Sequence, residues 1–368
     1  MDFLRQNARR IVVKLGTHTL THADGGLNEA RIHGLCDQIV SLRRRGIEVV
    51  VVSSGAIGLG VGSLGLARRP ADLASLQACA AVGQTILMQT WREGFRRHGI
   101  GVAQVLLTHE DVRSRNRHLN CRNTLERLLQ LGVVPVVNEN DTVSAREIKF
   151  GDNDMLSALT ASLTRADLLV ILSTIPGLLD RTGDGSLVPV VEEITPAVEA
   201  MAGGSDNPLA TGGMVSKIAA AKVATRSGTA VYIGDGSDPQ ILLHLVSGRS
   251  RGTFFVPVSL SLDAKRRWVA FFESPGGTLH VDAGAAEALR HGGGSLLAKG
   301  MKRVDGRFAQ GAVVTIAGPD GAVIARGIAQ FSADELRAVA GLDSDAIRAR
   351  LPGCKRTEAV HRNTLVLL

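Results

Sequence analysis

Five short segments concentrate the residues that could do chemistry: Lys14-Leu15-Gly16-Thr17, Ser53-Ser54-Gly55-Ala56, Asn138-Glu139-Asn140-Asp141, Gly151-Asp152-Asn153-Asp154, and Thr211-Gly212-Gly213-Met214-Val215-Ser216-Lys217. Each follows an apolar run or opens a helical pattern. Lys14 closes the run Ile11-Val12-Val13, where an ammonium group is costly unless an anion meets it, and a phosphate is a simple partner. Ser53-Ser54-Gly55 ahead of a helix offers backbone N–H groups and the favourable end of a helix dipole to a phosphate. Thr211 to Lys217 forms a second glycine-rich cradle, with Lys217 in the first turn of the helix it feeds. Asp141, Asp152 and Asp154 could hold magnesium, orient the two lysines, or bind a substrate ammonium.

A carboxylate acceptor suits this set. With a pKa near about 4.3 it is ionised at neutral pH and needs no general base to attack a γ-phosphate, and no catalytic histidine stands in the five segments. The difficulty is bringing an anion up to a polyphosphate. Two lysines and magnesium offset that repulsion and stabilise an in-line transition state. Other phosphate signatures are excluded: there is no G-x-x-x-x-G-K-[ST] sequence. Gly60-Val61-Gly62-Ser63-Leu64-Gly65 matches G-x-G-x-x-G, yet the preceding strand ends near Val52 and Gln84 falls inside a helix where a dinucleotide site needs an acidic strand end.

The elements that must position these segments alternate. Strands are expected at Ile11–Val13, Glu48–Val52, Val102–Leu107, Val133–Val137, Asp167–Leu172 and Ala230–Ile233. Helices are expected from Asn28 as N-cap to Gly46, over Leu73–Arg97 and Asn116–Leu131, from Met155, and over Val215–Arg226. This pattern predicts an α/β fold, a three-layer αβα sandwich with a mostly parallel sheet and ligands at the carboxyl ends of the strands. From Ser247 to Glu273 the alternation breaks. Pro275-Gly276-Gly277 then opens a region of shorter elements, with strands near Leu279, Val313–Ile316 and Val323–Ala325 and a helix at Ala283–Arg290, read as a small β-rich barrel. The expected domains are residues 1–260, a linker at 261–275, and residues 276–368.

The chain has 368 residues, 45% of them hydrophobic, and a net charge of +7, which suits polyanionic partners, ATP as well as nucleic acid. Aromatics at 3% disfavour a surface on which bases stack. Cys36, Cys79, Cys121 and Cys354 have no C-x-x-C spacing and read as buried thiols. No run of the roughly 18 apolar residues that a membrane helix needs is present, and residues 1–10 lack a signal-peptide core, so the cytoplasm is the expected compartment.

In order and spacing, Val12-Val13-Lys14-Leu15-Gly16-Thr17, Ser54-Gly55-Ala56, Val134-Pro135-Val136-Val137-Asn138-Glu139-Asn140-Asp141, Gly151-Asp152-Asn153-Asp154 and Thr211-Gly212-Gly213-Met214 resemble the motifs of the amino acid kinase family. The likeness runs over nearly the whole chain and is to those members that phosphorylate the glutamate side-chain carboxylate, the first step toward proline. It implies that Lys14 and Lys217 contact ATP phosphates, with Asp154 organising both; that Ser54, Asp141 and Asn153 bind glutamate; and that Ser173, Thr174 and Thr211, Gly212, Gly213, Met214, Val215, Ser216 and Lys217 form the nucleotide site. ATP with Mg2+ is the implied co-substrate, with no residue assigned as a metal ligand, proline an implied feedback inhibitor, and a homo-oligomer the implied assembly. Ser173-Thr174 stands where the family usually shows Thr-Asp, His18 replaces a small hydroxyl residue, and Ala210 replaces a glycine.

The region around Val281-Asp282-Ala283-Gly284-Ala285, Ser295-Leu296-Leu297 and Lys299-Gly300 resembles a PUA domain, a fold found in RNA-modifying enzymes. It carries 12 Lys plus Arg against 9 Asp plus Glu from Gly276 onward, so RNA binding ranks below a structural or regulatory role. Relatives acting on acetylglutamate, aspartate, carbamate or UMP are the alternative within the family, and that tail separates them. An RNA-binding protein with an impaired kinase-like domain is the alternative from another class. Lys14, Lys217 and Asp154 together argue against it, since an inactive site has no reason to keep charges that are awkward to bury.

Overall fold

The computed structural model describes residues 8–22, 26–113, 115–144, 153–203, 213–258, 275–354 and 356–367. The chain divides into two compact units, the first holding residues 1–112 and 116–261, the second residues 113–115 and 262–368. Asp152, Thr211, Gly212, Ala210 and nearly all of the expected 261–275 linker lie outside the described residues.

The first unit is built on strands β1 (Arg10–Leu15), β2 (Glu48–Ser53), β3 (Val102–Leu107), β4 (Val134–Glu139), β5 (Leu168–Ser173), β6 (Val190–Val191), β7 (Ala230–Asp235) and β8 (Gly252–Phe255). They form one sheet in the order β3-β4-β2-β1-β5-β7-β8-β6. β1 runs parallel to both β2 and β5, with Lys14 level with Val52 and Ile171. β4 is parallel to β2 and β3, and β7 to β5. β1, β2 and β5 are apolar almost throughout because both sheet faces are covered. Ile11, Val13 and Leu15 pack with the Glu29–Arg44 and Leu73–Arg96 helices in one large core. Strand alternation therefore turns Val12 and Lys14 to the opposite face, where the Asn153–Thr164 helix lies against β1.

Local signals explain most boundaries. Asn28 caps the first long helix by accepting from the Arg31 N–H, and Gly46 past its end has φ +82°. The helix expected from Met155 starts at Asn153, which puts Asn153 and Asp154 in its first turn. The break expected from Ser247 contains a strand: β8 pairs antiparallel with β7 and parallel with β6. Its four residues are too few to show a period. The Gly60–Gly65 segment is helical up to Ser63, and its glycine serves packing. A Cβ on Gly60 would lie 1.8 Å from the Cys79 carbonyl oxygen, and one on Gly83 would lie 1.8 Å from that of Ala56. The Ala56–Ser63 and Leu73–Arg96 helices thus meet backbone to backbone.

The second unit has strands β9 (Gly277–Val281), β10 (Leu296–Leu297), β11 (Met301–Gly306), β12 (Val313–Ala317), β13 (Val323–Ala329) and β14 (Glu358–Leu367). They form a curled sheet in the order β10-β14-β13-β12-β9-β11, with its own core around Leu279, Ile316, Leu336 and Val360. Asp282 caps the Ala283–Gly292 helix through the Ala285 N–H, and Gly293 closes it in the left-handed region. β11, β14 and the Ala333–Val339 and Ser344–Arg350 helices extend the short set expected from the sequence.

Candidate active site

Lys14 sits near the end of β1, Asp154 in the first turn of one helix, and Lys217 in the first turn of the Met214–Arg226 helix. The structure brings all three together. Lys14 Nζ lies 2.5 Å from Asp154 Oδ1, and Lys217 Nζ lies 3.0 Å from Oδ2. Asp154 is fully buried and each lysine is 3% exposed. A carboxylate in a first helical turn is aided by the dipole, whereas Lys217 stands against its own helix's dipole. Asp154 offsets both that penalty and part of the desolvation of the two ammonium groups.

Ser216 Oγ adds a further contact, 3.0 Å from Asp154 Oδ2 and 2.9 Å from the Gly213 carbonyl oxygen. Its hydroxyl thus faces the buried carboxylate, whereas Val215 is 53% exposed on the outer side. Beside the triad opens a cavity of about 340 Å³ lined by Lys14, Gly16, Thr17, His18, Thr19, Ser54, Arg69, Leu172, Ser173, Thr174 and Lys217. Ser173 and Thr174 therefore share one space with both lysines and Ser54.

Ser54, Asn138 and Asn153 form a second cluster. Asn153 Nδ2 donates to Ser54 Oγ at 2.7 Å, Asn138 Oδ1 at 3.0 Å and the Ser53 carbonyl at 3.1 Å. Asn138 Nδ2 donates to Gln84 Oε1 at 2.9 Å, and its Oδ1 also accepts from the Glu139 N–H at 2.9 Å. Gly55, at φ +107°, turns the chain from β2 into the Ala56–Ser63 helix just past Ser54. Asp141 lies half-buried in the turn after β4. Glu139, buried at the end of β4, accepts from Ser144 Oγ at 2.7 Å.

The structure thus brings the residues singled out from sequence into two clusters, Lys14, Asp154 and Lys217 in one and Ser54 and Asn153 in the other, and puts Ser173 and Thr174 at the cavity. Reasoning from sequence gave no role to Asn138, Gln84 or Arg69. Asn138 stands inside a recognised motif, but Gln84 lies mid-helix among apolar residues and carries no local signal.

Residues 9–235 match the model of the Amino acid kinase family, and residues 277–351 match that of the PUA domain. The chain belongs to the amino acid kinase family. Two relatives, each named glutamate 5-kinase, come from Trichlorobacter lovleyi and Myxococcus xanthus. The first is 46% identical over 99% of this chain and 98% of its own length, the second 47% identical over 99% and 97%. Among solved structures, carbamate kinase from Giardia lamblia bound to AMP-PNP superposes with a TM-score of 0.51 at 15% identity, covering 68% of this chain and 99% of that one. At that identity the likeness concerns the fold alone.

Proposed function

We propose that this protein transfers the γ-phosphate of ATP to the side-chain carboxylate of L-glutamate, yielding L-glutamate 5-phosphate and ADP, the first step of proline biosynthesis. The observation that carries the reading is the buried Lys14–Asp154–Lys217 set beside a cavity that also holds Ser54, Ser173 and Thr174. The near full-length likeness to proteins named glutamate 5-kinase supports the choice of acceptor.

In this reading a carboxylate oxygen of glutamate forms the new O–P bond while the bond from the γ-phosphorus to the β–γ bridging oxygen breaks, and ADP leaves with that electron pair. No proton moves, so no base is required. Lys14 and Lys217 face the charge that spreads over the transferring phosphoryl oxygens, and Asp154 holds both ammonium groups in place before substrate arrives. Ser54, Asp141 and Asn153 hold glutamate. Ser173, Thr174 and the segment Thr211–Lys217 hold the nucleotide. Among the described residues no group of three or more His, Cys, Asp or Glu is arranged for a metal ion, and both oxygens of Asp154 already face lysines. Magnesium would accompany the polyphosphate of ATP and offset part of its charge.

The same reading gives residues 1–260 the catalytic work and residues 276–368 a separate PUA domain. It carries a cytoplasmic location, a homo-oligomer and inhibition by proline as the end product. For the tail it favours a structural or regulatory role over RNA binding. Phe331 is buried and Phe308 is half-buried against the core of that unit, which leaves little aromatic face for base stacking.

The test is ADP release by the purified protein with magnesium and glutamate, acetylglutamate, aspartate or UMP, with hydroxylamine present to trap an acyl phosphate as hydroxamate. Glutamate-dependent hydroxamate is expected. Turnover with another acceptor and none with glutamate would overturn the assignment.

A further inference from the structure

A directional chain of side-chain amides lies behind the acceptor cluster. Gln104, on β3, takes a long contact at 3.4 Å from Gln84 Nε2; Gln84 Oε1 accepts from Asn138 Nδ2 at 2.9 Å; and Asn138 Oδ1 accepts from Asn153 Nδ2 at 3.0 Å. The direction of this chain is fixed by backbone at two points. The Glu139 N–H can only donate, so the Asn138 atom 2.9 Å from it is oxygen. The Ser53 carbonyl can only accept, so the Asn153 atom 3.1 Å from it is nitrogen. With both amides so oriented, Asn138 must present an N–H2 toward Gln84, and Gln84 must answer with its oxygen.

One atom is left over. Asn153 Oδ1 is buried and meets no hydrogen-bond partner among the described residues, a costly state that a donor from outside would relieve. Reversing the Asn153 amide would set its oxygen against the Ser53 carbonyl and Asn138 Oδ1, so the chain holds Oδ1 open as an acceptor. Gln84 is 8% exposed and Asn138 2%, so water competes little for their amide groups. The close crossing at Gly83, whose Cβ would meet the Ala56 carbonyl oxygen at 1.8 Å, fixes the helical turn that carries Gln84 against the segment just after Ser54.

We infer that Gln84 is a positioning residue for acceptor recognition: through Asn138 it locks the Asn153 amide so that Oδ1 faces a substrate donor, the ammonium group of an amino acid. The inference rests on the reading of Asn153 as part of the glutamate site. Gln84 touches no substrate itself. Its contribution is to keep a two-state amide in one of its states, which lowers the ordering required when the acceptor binds.

Two variants and the wild type decide it. Gln84→Met keeps much of the apolar volume and deletes both hydrogen-bonding groups. Gln84→Glu keeps an oxygen toward Asn138 Nδ2, and the exposed Gln104 amide can turn to offer its nitrogen to the second carboxylate oxygen. The expected result for Gln84→Met is a rise of about 10-fold in KM for glutamate, with kcat and KM for ATP within about 2-fold of wild type; Gln84→Glu is expected to restore KM to within about 3-fold. Equal losses in both variants, or a matching change in KM for ATP, would mean general damage to the fold and overturn the inference. A second readout does not depend on turnover: asparagine-selective 15N labelling, in which the Asn153 side-chain amide is protected from exchange in the wild type and loses protection in Gln84→Met. Unchanged protection overturns the inference. If the wild type turns over no glutamate, the functional reading fails by itself, and the exchange measurement still decides the amide chain.

Discussion

Replacing Asp154 by asparagine keeps the shape of the side chain and removes its charge. In the wild type this fully buried carboxylate lies within 3.0 Å of two ammonium groups that are each 3% exposed. Asp154→Asn removes the carboxylate that faces both buried ammonium groups and puts an amide in its place. Removing one partner of a buried ion pair costs about 3–5 kcal/mol, which for a unit of this size lowers the melting temperature by about 6–20 °C. Nucleotide would supply the missing negative charge, so ATP should raise the melting temperature of the variant more than that of the wild type. The lysines would no longer be held for the phosphoryl group, and kcat should fall by at least about 100-fold, roughly 2.7 kcal/mol of barrier. Differential scanning fluorimetry with and without ATP, alongside the hydroxamate assay, reads both effects. A variant that melts with the wild type and turns over at a similar rate would refute the idea that Asp154 holds the two lysines.

Lys217→Ala should cost at least roughly 100-fold in turnover, on the order of 3 kcal/mol, and a variant near the wild-type rate removes Lys217 from the mechanism. Gly83→Ala places a methyl group 1.8 Å from the Ala56 carbonyl oxygen; urea unfolding should show a loss of about 1–3 kcal/mol or more, and unchanged stability would contradict the backbone-to-backbone crossing. Asp238 has a carboxyl held below its ordinary 3.8: burial opposes the shift, but the Gln240 N–H, His244 and Arg31 outweigh it. A depressed folded pKa gives stability that is full above the unfolded value and fades as pH falls through the folded one. The advantage of wild type over Asp238→Asn should therefore be constant near neutrality and shrink below pH 3.8; acid titration followed by circular dichroism checks it, and a gap that widens in acid reverses the sign. Ending the chain at Pro275 should leave turnover in place, because the first unit has its own core; a folded but inactive truncation would make the tail essential.

Much of the site was legible because charge is informative where its surroundings are apolar. Lys14 after Ile11-Val12-Val13 signals an anionic partner by itself. Lys217 does so through its glycine-rich approach. Residue chemistry alone left Asp141, Asp152 and Asp154 as equivalent partners, and only the family resemblance pointed to Asp154; the start of the helix at Asn153 rather than Met155 turns it inward. Gln84 was hidden for the opposite reason, since a polar residue in a mostly apolar helix looks the same whether it faces water or a buried amide. β8 escaped notice because four residues cannot display a period, and its pairing with β7 and β6 depends on segments distant in sequence. The glycine pattern at Gly60 illustrates how one spacing can serve two ends, phosphate approach or helix approach, with only the neighbour across the gap to tell them apart.

The order of strands in the sheet carries a further consequence. Ser54 follows β2, and Asn138 and Asp141 belong to β4 and its turn, all to one side of β1; Ser173 and Thr174 belong to β5 on the other side. Adjacent strands lie about 4.8 Å apart, so under the proposed assignments the sheet sets acceptor and donor on opposite flanks of a central lysine. The direction of transfer is then written into topology, not into any one loop. An engineer seeking a new acceptor should rewrite the ends of β2 and β4 and leave β5 and the Met214–Arg226 helix alone, because β1 stands between the two flanks in the sheet.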